Sequence, residues 1–157
     1  MVCGCALPCR CAERSARIVA NMITYQYKRK KRVLTPSEHK LYDALMEALG
    51  DRYYVFPQIH LASIIDEKVV GQNWLGAFRH IDEKSVDFVL CDRENCAPKL
   101  AIELDDPSHL RADRQERDRE VERIFKSADV PLLRLTGKGE FAPGELEENV
   151  NGALVEK

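Results

Sequence analysis

Two runs of branched apolar residues, Val86–Leu90 and Leu100–Asp105, lie either side of the short polar loop Asp92–Pro98, and acids interrupt both. Runs of this kind joined by a short polar loop predict an antiparallel hairpin. Side chains alternate across a strand, so Glu103 and Asp105 share one face, while Leu100, Ile102 and Leu104 take the other. Folding the hairpin symmetrically about Asn95 sets Asp87 directly across from Glu103, with Cβ atoms roughly 5 Å apart. Like charges so opposed are destabilising, and a divalent cation offsets them best. Oxygen-only ligands favour magnesium, manganese or calcium over zinc. The competing register, slipped by one residue, turns the acids to different sides or to water.

The remaining elements set this hairpin in a sheet. Thr35 takes an N-cap, Pro36 the first helical position, and Glu38 completes a Thr-x-x-Glu capping box. Leu41, Ala44, Leu45, Ala48 and Leu49 follow at helical spacing, and Gly50 ends the helix. Tyr53–His60 reads as a strand whose Pro57 marks an edge or a bulge. Leu61–Ile65 reads as a helical turn, and Trp74, Leu75, Phe78 and Ile81 fit one short amphipathic helix. A long charged helix over 110–128 carries the apolar stripe Val121, Ile124, Phe125 and Ala128. Projected back, that stripe takes in Leu110, Arg114 and Arg117, with Asp118 at its margin, and aims two arginines at the sheet beside the acids. A later helix start would instead leave both arginines on a solvated face, paired with Asp113, Glu116 and Glu120. Val130–Thr136 makes a last strand, and Leu146, Val150, Ala153 and Leu154 a closing helix. The core order α-β-β-β-α-β implies an α/β fold with a mixed sheet flanked by helices, because a helix crosses between the third and fourth strands.

Charge and cysteine divide the chain at its start. Residues 1–32 carry eight basic side chains and one acid, a net +7, which leaves −9 on the rest of the 157 residues. Residues 1–33 therefore read as a basic, poorly ordered arm and 34–157 as one domain. The run Lys28, Arg29, Lys30, Lys31 and Arg32 reads either as a solvated linker or as a contact to a nucleic-acid backbone. Cys3, Cys5, Cys9 and Cys11 are spaced more tightly than the usual zinc pairs, so a short irregular N-terminus is preferred over a Zn2+ knuckle. Cys91 and Cys96 flank the hairpin loop and read as packing residues. No apolar run is long enough to span a membrane, and no basic-then-apolar opening reads as a secretion signal. The expectation is a cytoplasmic protein with no membrane partner.

Asp87 in Ser-Val-Asp-Phe-Val-Leu, residues 101–109 (Ala-Ile-Glu-Leu-Asp-Asp-Pro-Ser-His) and residues 114–118 (Arg-Gln-Glu-Arg-Asp) together resemble the PD-(D/E)XK nuclease superfamily. The nearest likeness within it is to a bacterial family of unknown function, and a more distant one is to very-short-patch-repair endonuclease-like domains. Leu-Thr-Pro-Ser-Glu at 34–38 and Pro-Leu-Leu-Arg-Leu at 131–135 extend the resemblance over about residues 29 to 136. It implies a restriction-endonuclease-like fold and Mg2+- or Mn2+-dependent cleavage of a phosphodiester, with DNA as the partner. By position, Asp87 and Glu103 take the two metal-ligand places, and Glu38 matches an acid that supports the metal shell. The capping box is an equal reading of Glu38.

One departure bears on the chemistry. The signature ends in Glu-x-Lys, and here Glu103-Leu104-Asp105 has no lysine. Arg114 or Arg117, if inward, would supply the positive charge but not a base, since arginine keeps its proton. His109 is a candidate base, and Asp105 a candidate third ligand or proton acceptor. The Leu104 carbonyl and waters would complete the octahedron. The alternatives are a catalytically inactive nucleic-acid-binding domain of the same fold, or an interaction module holding zinc through its cysteines.

Overall fold

The computed structural model describes residues 26–105, 112–137 and 141–155, with the backbone alone given for 112–115. The chain divides into two units, Met1–Lys31 and Arg32–Lys157. In the first, the described residues 26–31 are exposed chain outside helices and strands. The four cysteines of the N-terminus lie outside the described residues, as does His109.

The second unit is a mixed α/β structure. Its elements are α1 (Pro36–Leu49), β1 (Tyr53–His60), a 3-10 turn at Leu61–Ser63, α2 (Trp74–Ile81), β2 (Ser85–Asp92), β3 (Pro98–Asp105), α3 (Ala112–Ser127), β4 (Leu132–Thr136) and α4 (Pro143–Val155). The four strands form one sheet in the order β1-β2-β3-β4. The first two pairings are antiparallel and the last, reached through α3, is parallel. The expected α-β-β-β-α-β order is present, with α2 inserted before β2.

Local chemistry accounts for the ends of α1. Thr35 Oγ1 accepts from the Glu38 N–H at 3.3 Å, and Glu38 Oε2 accepts from the Thr35 N–H at 2.7 Å. Gly50 follows the helix with φ −58°, so it is no left-handed cap; its N–H still bonds to the Met46 carbonyl. Leu41, Ala44, Leu45 and Leu49 are buried, which turns one face of α1 onto the sheet.

Cores lie on both sides of the sheet. Phe88, Leu90, Leu100 and Ile102 pack with α1 and with Leu146 and Val150 of α4. Val86, Val89, Cys91 and Ala101 pack with Leu61, with Ile81 of α2, and with Val121 and Phe125 of α3. Phe88 pairs with Ile102, Val89 with Ala101 and Leu90 with Leu100, the expected symmetry about Asn95, and the pairing stops one residue short of Asp87 and Glu103. A register shift follows between Leu90 and Cys91.

Alternation breaks at one point. Phe88 faces the first core, yet Val86, two residues away, belongs to the second, and Ile59 packs there too. The break coincides with Gln58, whose φ of +53° is left-handed. A non-glycine residue so placed costs about 1–3 kcal/mol unless its surroundings hold it. Pro57 immediately precedes it on the edge strand, where its missing N–H is tolerated.

Phe88 is fully buried, so Phe88→Ala is expected to cost about 3–5 kcal/mol in urea denaturation. Thr35→Ala removes one half of the capping box and is expected to cost about 1 kcal/mol.

Candidate functional site

The break at Gln58 and the end of the β2–β3 hairpin meet at Asp87. One carboxylate oxygen, Oδ2, accepts from the Leu104 N–H at 2.9 Å, and the other accepts from Gln58 Nε2 at 3.4 Å. Burial nevertheless holds the Asp87 carboxyl above its ordinary pKa against those two hydrogen bonds, and the charges of Glu38 and Asp105 push the same way. Glu38 is therefore both half of the capping box and an electrostatic neighbour of Asp87.

Glu103 lies one residue beyond the last paired position of β3 with β2. Burial pushes its carboxyl up to about 7. Arg134 opposes that rise, while Asp87, Asp118 and Asp105 add to it. Arg134 comes from β4, where the parallel register sets it beside Glu103. Its guanidinium lies 3.1 Å from Glu103, 3.1 Å from Asp105, 3.2 Å from Glu122 and 3.8 Å from Asp118. Burial works against the Arg134 charge, but Glu103, Asp105 and Asp118 outweigh it and raise its pKa. Nε, though near Glu122, is buried without an aligned hydrogen-bond acceptor.

Around this guanidinium the described carboxylates are in surplus. Glu103, Asp105, Asp118 and Glu122 contact it, and Asp87 with Glu38 adds further negative charge at the adjoining position. One positive charge does not neutralise them; burial is the main reason the Asp87 and Glu103 carboxyls stand above their ordinary pKa, and the neighbouring acids add to it.

For Arg117 the solvated reading holds rather than the inward one. Arg117 is exposed, so it does not point toward the sheet. The helix row that reaches β4 runs through Asp118 and Glu122, one position on from Arg117, while Val121 and Phe125 fill the core. Arg114 has only its backbone described. Asp105, which stands where the signature has lysine, is tied to Arg134 at 3.1 and 3.4 Å. Lys28–Arg32 are exposed. Arg134 and Gln58 escaped the sequence reading. Signals for both existed: a lone arginine inside the apolar strand Leu132–Leu135, and a proline just before Gln58.

Among the described residues no three His, Cys, Asp or Glu side chains are grouped to hold a metal ion by themselves. A groove of about 580 Å³ between the 3-10 turn, α2 and α3, lined in part by Ile64, Ile65, Ile81 and Ile124, contains none of the carboxylates described above. No described helix is long and apolar enough to cross a membrane.

The raised Glu103 pKa has a signed consequence. Folding takes up a proton between the unfolded value of 4.5 and the folded value of about 7, so stability falls as pH rises through that window. Asp87, also raised, adds a slope of the same sign. Glu103→Gln is expected to remove about 1–3 kcal/mol of this dependence, read from urea titrations at pH 5 and pH 8. Arg134→Ala leaves the acids without their counter-ion and is expected to cost about 2–4 kcal/mol at pH 8 and less at pH 5.

No match is found among curated proteins or among solved structures. The family model described as protein of unknown function, DUF2726, matches residues 30–154, well over half of the chain, and the protein belongs to that family.

Proposed function

We propose that the protein is a metal-dependent nuclease acting on DNA, with its sheet arranged as in restriction-endonuclease-like PD-(D/E)XK enzymes. The observation that carries this reading is the electrostatic coupling of Asp87 and Glu103 at one end of the β2–β3 hairpin, in a surplus of carboxylates against a single guanidinium.

The donor set suits a hard cation. Magnesium is commonly held by one or two carboxylates and keeps several waters, so two acids suffice where a zinc site would need more protein ligands. Asp87 and Glu103 would hold Mg2+ or Mn2+, with Glu38 supporting from α1. Bound there, the ion would draw charge from the scissile phosphate and acidify a water.

The chain's own groups do the positioning. The Leu104 N–H and Gln58 fix the two oxygens of Asp87. Arg134 lowers the Glu103 pKa, favouring the ionised form a cation needs. Asp105, engaged with Arg134, anchors that guanidinium rather than replacing the signature lysine. Arg134 thus supplies the fixed positive charge at this end of β3. His109 is the candidate proton acceptor, and Lys28–Arg32 the candidate backbone contact.

The test is hydrolysis of DNA in magnesium or manganese, with single-stranded oligonucleotides and plasmid as parallel substrates. Asp87→Asn and Glu103→Gln are each expected to lower the rate at least about 100-fold. Arg134→Lys, which keeps the charge, is expected to retain more activity than Arg134→Gln. Metal-dependent cleavage that survives both acid substitutions would overturn the assignment. The absent lysine favours one second reading, an inactive DNA-binding domain, which salt-sensitive binding without cleavage would select.

A further inference from the structure

The edge strand β1 carries a second chemistry beside the acids. Tyr54 pairs with Cys91 and Phe56 with Val89, and the Gln58 amide donates to Asp87. Directly paired residues share a sheet face, so Tyr54 and Phe56 form a row on the face of Val89 and Cys91, and Gln58, bonded to Asp87, follows on the same strand.

Val89 and Cys91 on this face are buried, yet Tyr54 is 42% and Phe56 37% exposed. Their ring centroids lie 6.2 Å apart with a 47° tilt. The Arg93 guanidinium sits 4.7 Å over one face of Tyr54 and also donates to the Gly50 carbonyl. That bond holds the guanidinium in place and keeps a positive charge against the aromatic row.

Aromatic rings flanked by a fixed arginine suit a stacked base with its phosphate. The bases of an intact duplex are stacked on one another and do not offer their faces to a sheet edge, whereas unpaired bases do. We propose that Tyr54, Phe56 and Arg93 form a stacking platform for unpaired nucleotides, so that the site takes single-stranded rather than duplex nucleic acid. This rests on the nuclease reading and names its substrate class.

The test uses the full chain without added metal, so that binding is read apart from cleavage. Fluorescence anisotropy compares a labelled oligothymidine with a labelled hairpin duplex of equal length. The wild type is expected to bind the single strand at least about tenfold more tightly. Tyr54→Ala with Phe56→Ala is expected to lose about tenfold or more for the single strand and to leave duplex binding unchanged. Tyr54→Phe with Phe56→Tyr, which keeps both rings, should restore the preference and so separates stacking from misfolding. Equal affinity for the two ligands, or an undiminished single-strand affinity in the alanine variant, would overturn the proposal. So would a dimer that the alanine variant abolishes in sedimentation while oligothymidine does not bind, which assigns the patch to a second copy. A ring-dependent single-strand preference in a protein that cleaves nothing in magnesium would sink the nuclease reading while the platform stands.

Discussion

The site is organised by an imbalance of charge. Glu103, Asp105, Asp118 and Glu122 converge on Arg134, and Asp87 adds its own carboxylate where β2 meets β3. A single guanidinium, itself largely buried, offsets only part of this. Burial, with the neighbouring acids adding to it, holds the carboxyl groups above their ordinary pKa, Glu103 at about 7. Such an arrangement is costly for a protein whose total stability is only about 5–15 kcal/mol, and cores do not need it. The apolar packing on both faces is complete without it: no charged side chain is fully buried among the described residues. The proposed cation would offset this imbalance.

Strain is stored at the same place. Gln58 keeps a left-handed backbone opposite Asp87, breaks the alternation of β1 and β2, and gives its amide to the Asp87 carboxylate. A regular strand would point this side chain by simple alternation. The break lets Ile59 and Val86 fill the second core while Asp87 bonds to the Leu104 N–H across the hairpin. Backbone cost and electrostatic cost thus fall on two neighbouring strands within one residue of each other, as is usual where geometry serves chemistry.

Much of this was legible in the sequence because it is local. The capping box at Thr35 and Glu38, the stripe of α1 and the hairpin symmetry about Asn95 all depend on residues close along the chain. The hairpin register followed from its short loop, and the two faces of β3 from period-two alternation. The rest depends on long-range pairing. Arg134 reaches Glu103 only because β4 joins β3 in a parallel register after a whole crossover helix, and nothing local sets that register. The helical projection erred at Arg117 because an apolar stripe defined by Val121 and Phe125 has two flanks; the one facing β4 carries Asp118 and Glu122. Gln58 was hidden because its conformation is imposed by its neighbours rather than by its own preference. The family to which the chain belongs brings no function with it, so the site chemistry carries the functional argument.

Calorimetric titration of magnesium or manganese into the full chain tests the proposed cation site most directly. The account predicts one ion per chain, with Asp87→Asn and Glu103→Gln each abolishing the heat and Thr35→Ser leaving it intact. No saturable binding by the folded wild type, or binding undisturbed by both acid substitutions, would contradict it.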